Sequence, residues 1–166
     1  MQVKKDEIEA RIVAAATDLF VRDGFEGTSV SSIVRDAGIG KGTVYTYFDS
    51  KEELLEATVA GVFAELGSAV STAVEGNESW NGFASSLVAS FFRDIVHKLR
   101  VVMVYHRKED TRRGAYAALA KPFSSAMTAA YRKYLADTSV GQKEISATVT
   151  AVLVSSFMVH ESMGAA

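Results

Sequence analysis

Residues 41 to 51 bring together side chains that can hold a polyanion but perform no covalent chemistry. The ammonium groups of Lys41 and Lys51 and the phenol of Tyr47 suit phosphate oxygens. Hydroxyl and methyl groups suit the edges of nucleic-acid bases, and the missing side chain at Gly42 lets the main chain approach a phosphate closely. The candidate contact residues of this segment are Lys41, Gly42, Thr43, Tyr45, Thr46, Tyr47 and Lys51.

A long amphipathic helix is predicted ahead of this segment. Ile8, Ile12 and Leu19 recur at the spacing of one helical face over about residues 5 to 23. Gly24 follows and ends the pattern.

Two shorter helices are predicted next. Ser29 can cap the first of them, and Gly38 ends it in the left-handed conformation that glycine adopts most easily. The other covers about residues 41 to 48 and turns Val44 and Phe48 inward. Ser50 then opens a fourth helix through a capping box.

Two helices joined by a short glycine turn, the second brief and polar outside, are typical of a helix-turn-helix. The second helix of this motif enters the DNA major groove. We therefore expect double-stranded DNA as a partner, with Thr43, Tyr45 and Thr46 at base edges and Lys41, Tyr47 and Lys51 at phosphates.

Residues 11 to 55 resemble the tetracycline-repressor (TetR) family of bacterial transcription regulators. The resemblance is carried by Gly-Phe-Glu-Gly-Thr-Ser-Val, by Ala-Gly-Ile-Gly-Lys-Gly-Thr-Val-Tyr-Thr-Tyr-Phe and by Ser-Lys-Glu-Glu-Leu-Leu. It implies that Tyr45 and Lys51 touch DNA and that Thr43 contacts a base or a phosphate. It also implies that Thr28 and Ser29 form the phosphate-binding start of the second helix.

Gly40 departs from the family pattern, in which serine often caps the third helix. Glycine caps less well than serine by about a few tenths of a kcal/mol. We expect the third helix to order fully only on DNA.

Enzyme motifs fail at single positions. A phosphate loop needs Ser or Thr directly after its lysine, where Gly42 stands, and a dinucleotide fingerprint needs Gly or Ala where Thr43 stands. His160 begins a zinc-protease pattern whose second histidine is replaced by Gly164. The sequence predicts no enzyme, no cofactor and no metal.

Bulk composition counts against nucleic-acid binding and supports an alternative, a ligand-binding or enzymatic helical protein that no longer binds DNA. The formal net charge is -2, and residues 1 to 51 hold seven Lys or Arg against eight acids, so any basic surface depends on placement.

Absence of cysteine and of a secretion signal or a membrane-length apolar run predicts a soluble, cytoplasmic protein without a membrane partner.

The rest of the chain is expected to be helical, which makes the fold all-α. We predict a DNA-binding domain over residues 1–50 and an effector-binding and dimerisation domain over 51–166. The predicted helices cover about 51 to 74, 80 to 98, 100 to 108, a segment that begins or kinks at Pro122, and 145 to 163.

The last helix is apolar nearly all round and must be covered on both sides. The family resemblance implies that residues 122 to 163 pair with their twins in a homodimer, which would read a near-palindromic operator. The interface candidates are Val149, Val152, Leu153, Ser156, Phe157 and His160.

The resemblance also implies a small-molecule pocket whose occupancy moves helix four and releases DNA. The alternatives are a filled aromatic core in place of the pocket, and a ligand-binding or enzymatic helical protein that no longer binds DNA. The candidate pocket residues are Phe91, Phe92, Met103, Tyr105, His106, Met127 and Tyr131.

Overall fold

The computed structural model describes the main chain of residues 2–108 and 118–135, and the side chains of residues 5–105 and 118–134. Every regular element in these ranges is helical, as the all-α prediction requires. The α-helices are α1 (Gln2–Gly27), α2 (Val30–Ala37), α3 (Lys41–Val44), α4 (Lys51–Glu75), α5 (Trp80–Ser90), α6 (Leu99–Lys108) and α7 (Lys121–Leu135).

Helix α1 bends sharply at Gly24, which has φ 73° and ψ 170°. This is the position where the sequence predicts the end of the first helix. A non-glycine residue would be strained there, since a positive φ brings the Cβ atom against the main chain. The bend turns Phe25 into the core, where it is 4% exposed and packs against Phe20 with ring centroids 5.4 Å apart.

Helix α4 begins as predicted, with one difference in its cap. The Ser50 hydroxyl accepts from the Glu53 N–H at 3.0 Å, but the Glu53 carboxylate accepts from the N–H of Asp49 rather than that of Ser50. By length and composition α4 could cross a membrane, and 44% of its most apolar stretch is buried within the described part of the protein. Core helices of globular proteins have the same composition.

The predicted helix of 80 to 98 is interrupted. After α5 the chain forms a π-helical turn over Phe91–Ile95 and a 3₁₀ turn over Val96–Lys98. Phe83, Leu87, Phe91 and Ile95 nevertheless all face inward, as their four-residue spacing predicts. The apolar pattern therefore fixes which side chains are buried but not the helix type.

Helix α7 begins at Lys121 in the described residues, which places Pro122 in its first turn. Proline is tolerated there because the first N–H groups of a helix have no partner within it. The helix packs closely on α4, since a Cβ atom on Gly67 would lie 3.0 Å from the main-chain carbonyl of Pro122.

The chain divides into two compact units, Met1–Val62 with Arg100–Leu119, and Phe63–Leu99 with Ala120–Ala166. The core of the first contains Ile12, Phe20, Ile33, Val44, Leu54 and Val59. That of the second is an aromatic cluster in which Phe83 lies 5.3 Å from Trp80 and 5.0 Å from Tyr134 between ring centroids. The domain boundary predicted between residues 50 and 51 stays a prediction.

Candidate nucleic-acid interface

The turn between α2 and α3 has the geometry that its glycine predicts. Gly38 adopts the left-handed conformation, with φ 64° and ψ 42°. Its N–H donates to the carbonyl of Arg35 at 3.1 Å, and the N–H of Ile39 donates to that of Val34 at 3.2 Å. These bonds satisfy carbonyls left open at the end of α2 and aim the chain into α3.

Helix α3 is shorter than the predicted 41 to 48. Only Lys41–Val44 is α-helical, and the chain continues in a tighter turn, in which Thr46 and Tyr47 donate N–H bonds to the carbonyls of Thr43 and Val44 at 3.1 and 2.9 Å. Gly40 supplies no side-chain cap, so local bonding supports little more than one turn.

The two faces of this turn differ as the sequence predicts. Val44 and Phe48 are 2% and 5% exposed and anchor the turn to the core. Tyr45, between them in sequence, is 53% exposed. A large aromatic ring held outward by buried neighbours has the geometry of a contact residue.

The other α3 candidates surround Tyr45. Lys41, Gly42 and Thr46 are exposed, and the Thr46 hydroxyl donates to the carbonyl of Gly42 at 3.3 Å. Thr43 and Tyr47 are half-buried. The ammonium of Lys5, from the start of α1, lies 5.9 Å from the Tyr47 ring centroid, which the sequence did not indicate.

Thr28 and Ser29 have different environments. Thr28 is 2% exposed, and its hydroxyl donates to the carbonyl of Gly24 at 2.7 Å. Ser29 is exposed and caps α2, with its hydroxyl accepting from the Ser32 N–H at 3.1 Å while the Ser32 hydroxyl accepts from the Ser29 N–H. The predicted cap is confirmed, and only Ser29 of this pair presents its side chain at the surface.

Two cations of this unit bind main-chain carbonyls. Arg11 donates to the carbonyls of Ala37 and Gly38 at the end of α2. Lys51 donates to those of Phe25 and Thr28 at the end of α1, at 2.9 and 3.1 Å. No sequence signal links these partners, since they lie more than twenty residues apart in the chain.

Two further cations pair with the aspartates that follow them. Arg22 binds Asp23 at 2.9 Å, and this hydrogen bond lowers the pKa of the Asp23 carboxyl. Arg35 lies 3.5 Å from Asp36. Of the described side chains from 5 to 51, Lys5 and Lys41 are therefore the cations without a carboxylate or carbonyl partner.

The candidate pocket residues are divided between the two units. Met103 and the buried Tyr105 belong to the first unit, and the other described candidates belong to the second. The side chain of His106 lies outside the described residues, as do all six candidates for the dimer interface, Val149, Val152, Leu153, Ser156, Phe157 and His160.

Within the second unit these candidates do not form a single lining. Phe91 is 2% exposed and Met127 packs against the aromatic cluster, whereas Phe92 and Tyr131 are exposed. A shallow surface depression of about 320 Å³ involves none of them; it is lined by Ser124, Ser125, Thr128, Ala129 and Arg132.

Comparison with known proteins places residues 12–58 in the pattern described as bacterial regulatory proteins, tetR family. The chain is 31% identical over 100 residues to the uncharacterized HTH-type transcriptional regulator YfiR of Bacillus subtilis, covering 59% of this chain and 49% of that protein. It is 38% identical over 55 residues to the HTH-type transcriptional regulator SrpR of Pseudomonas putida, covering 33% and 26%. The chain thus spans half or less of the length of these relatives.

The fold also has relatives among solved structures. A TetR family transcription regulator from Marinobacter aquaeolei VT8 superposes with a TM-score of 0.60 at 19% identity, over 80% of this chain and 72% of that one. The likeness at this identity concerns the fold, while the sequence match covers the helices that carry Tyr45. Residues 12–58, which contain the turn between α2 and α3 and the exposed Tyr45, match the tetR family of bacterial regulatory proteins.

Proposed function

We propose that this protein is a sequence-specific DNA-binding transcriptional regulator. The observation that carries the proposal is the outward position of Tyr45, 53% exposed between the buried Val44 and Phe48. The phenol and the hydroxyls of Thr43 and Thr46 offer hydrogen-bonding groups to base edges in the major groove. Lys41 supplies a charge for phosphate on the same turn.

Ser29 extends this surface along the duplex. It lies at the N-terminus of α2, where main-chain N–H groups attract anions. With Gly42, Tyr47 and Lys41 it completes a phosphate-contacting rim around the base-facing residues. Thr28 and Lys51, predicted as contacts, have hydrogen-bond partners within the protein.

The regulator acts as a repressor and as a homodimer in this proposal. A two-fold dimer places two α3 turns about 34 Å apart on one face of the duplex, which requires a near-palindromic operator. The names of the relatives, HTH-type transcriptional regulators, support the regulatory role. Residues 122 to 163 are proposed to pair the subunits, and the cytoplasm is the proposed location.

Release by a small molecule completes the proposal. An effector need only bind the conformation that does not bind DNA more tightly, and a hundredfold preference is worth about 2.7 kcal/mol of coupling. Phe92 and Tyr131, exposed apolar side chains of the second unit, are its proposed contacts in the described residues.

A titration with DNA tests the proposal. Fragments that the protein selects from its source genome are labelled and titrated by fluorescence anisotropy at several salt concentrations. We expect affinity that falls steeply with salt and is at least about tenfold weaker in Tyr45→Ala.

The net charge of -2 favours the second candidate, a helical ligand-binding or enzymatic protein without DNA affinity. That candidate predicts absent or salt-insensitive binding in the same titration. A monomer mass at micromolar concentration in solution would contradict the dimer.

A further inference from the structure

Lys51 is half-buried, and its ammonium is bonded to main-chain carbonyls of the same unit. It is the first residue of α4, and its Nζ donates to the carbonyls of Phe25 and Thr28 at 2.9 and 3.1 Å. The same atom lies 4.1 Å from the centroid of the Phe25 ring, close enough for a cation–π contact. Two of the three N–H groups of the ammonium therefore have acceptors within the protein.

These bonds hold the corner that leads into α2. Within the corner, the Thr28 N–H donates to the Phe25 carbonyl at 3.3 Å and the Thr28 hydroxyl to the Gly24 carbonyl at 2.7 Å. Ser29, the next residue, caps α2. Lys51 thus fixes the residue directly before the serine proposed to meet phosphate.

Local helix rules do not explain a lysine at this position. The first turn of a helix favours acids, and Glu52 and Glu53 follow that rule in α4. A cation there opposes the helix dipole, but the same cation is favourable beside carbonyls at the end of α1. The reason for Lys51 therefore lies in its distant partners.

The second unit contains the same arrangement. Lys133 donates to the carbonyls of Val74 and Asn77, at 2.8 and 2.9 Å, three residues apart at the end of α4. Phe25 and Thr28 are likewise three residues apart at the end of α1. Since no DNA contact is proposed for Lys133, this contact serves to complete a helix without any nucleic acid.

We propose that Lys51 is a positioning residue for DNA binding, which sets the start of α2 and the orientation of Ser29, and that Lys41 neutralises phosphate directly. The inference rests on the proposed function. It assigns different roles to two lysines of neighbouring turns, because Lys41 is exposed and has no polar partner among the described residues.

Salt dependence separates the two roles. The logarithm of the affinity falls linearly with the logarithm of the salt concentration, and the steepness of this line decreases by about 0.9 for each phosphate contact that is removed. Lys41→Met should reduce the slope by that amount per contact. Lys51→Met should lower affinity by about tenfold, through a misplaced Ser29, with the slope of the wild type. A reduced slope in Lys51→Met overturns the inference and leaves the proposed function standing.

Amide hydrogen exchange of the free protein tests the positioning role of Lys51 in the absence of DNA. The N–H groups of Thr28, Ser32 and Ile33 bond within the corner and the first turn of α2. Lys51→Met should speed their exchange by about tenfold or more, and Lys41→Met should leave it unchanged. Unchanged exchange in Lys51→Met overturns the inference even if the wild type binds no DNA.

Lys51→Gln provides a second variant if Lys51→Met does not fold. It keeps an N–H donor for a carbonyl but carries no charge. Positioning predicts exchange and affinity between those of the wild type and those of Lys51→Met. Affinity as low as in Lys51→Met, with wild-type exchange, would assign the charge to phosphate and contradict the proposal.

Discussion

The guanidinium of Arg11 donates to the main-chain carbonyl of Ala37, which lies 26 residues further along the chain. A second bond from the same nitrogen reaches the carbonyl of Gly38 at 3.3 Å. The last carbonyls of a helix have no partner within it. A cation beside them also interacts favourably with the negative end of the helix dipole. Arg11 therefore ties α1 to the turn that directs α3.

Arg11→Met should lower the free energy of unfolding by about 1 kcal/mol, because it removes a charged donor from the end of α2. Urea denaturation of the full chain measures this. Arg22→Met is the matched control, since Arg22 is exposed and pairs with its sequence neighbour Asp23, and we expect little change there. Equal effects of the two substitutions would contradict the role of Arg11.

Val44→Ala and Tyr45→Ala should separate stability from binding. Val44 is 2% exposed, so its truncation should cost about 1–3 kcal/mol of unfolding free energy. Tyr45→Ala should leave the urea midpoint nearly unchanged and weaken DNA binding at least about tenfold, or 1.4 kcal/mol. A large loss of stability in Tyr45→Ala would show that its ring supports the fold instead.

Tyr134 gives stability a measurable pH dependence. Burial, and then the charge of Glu78, raise the pKa of its phenol above the ordinary value of about 10. The unfolded chain therefore ionises first, so the contribution is complete below about pH 10 and is lost as pH rises through the folded-state pKa.

Urea midpoints of wild type and Tyr134→Phe between pH 8 and 11 test this. At neutral pH the free energy of unfolding of Tyr134→Phe should be about 1 kcal/mol below that of the wild type, because the variant lacks the hydrogen bond from the phenol to the Asn77 carbonyl at 2.8 Å. This gap between variant and wild type should narrow at high pH. Tyr131→Phe is the control on the same helix, because Tyr131 is 41% exposed. A gap that stays constant with pH would exclude the linkage.

Gly61 and Gly67, six residues apart in α4, should respond oppositely to alanine. A Cβ atom at Gly67 would lie 3.0 Å from the Pro122 carbonyl, so Gly67→Ala forces the main chains apart and should lower the unfolding temperature. A Cβ atom at Gly61 meets only a Val13 methyl, at 3.9 Å, and Gly61→Ala should add about 0.5–1 kcal/mol from helix propensity. An unchanged unfolding temperature in Gly67→Ala would mean that α7 can shift away from α4 at little cost.

The local features of this domain could be predicted from sequence. Ser29 caps a helix and Gly38 ends it because both effects act within a few residues of the chain. The burial of Val44 and Phe48 follows equally from one-turn spacing. Short-range rules suffice where the partners are close in sequence.

The missed features depend on contacts that sequence spacing does not show. The π-helical turn at Phe91–Ile95 keeps the four-residue apolar spacing of an α-helix, so no pattern distinguishes it. The internal partners of Arg11 and Lys51 are main-chain carbonyls, which every residue possesses. Lysine and arginine counts therefore overstated the charge that is free to meet phosphate.

In the described ranges, the C-terminal carbonyls of α1, α2 and α4 each accept a hydrogen bond from a cationic side chain of another segment. The bonds from Lys51, Arg11 and Lys133 close stretches of 26, 26 and 59 residues. Loop closure must precede these bonds during folding, so the final turn of each helix forms together with its tertiary partner. Peptides of the single helices should therefore fray at these ends, and the intact chain should acquire all three ends cooperatively.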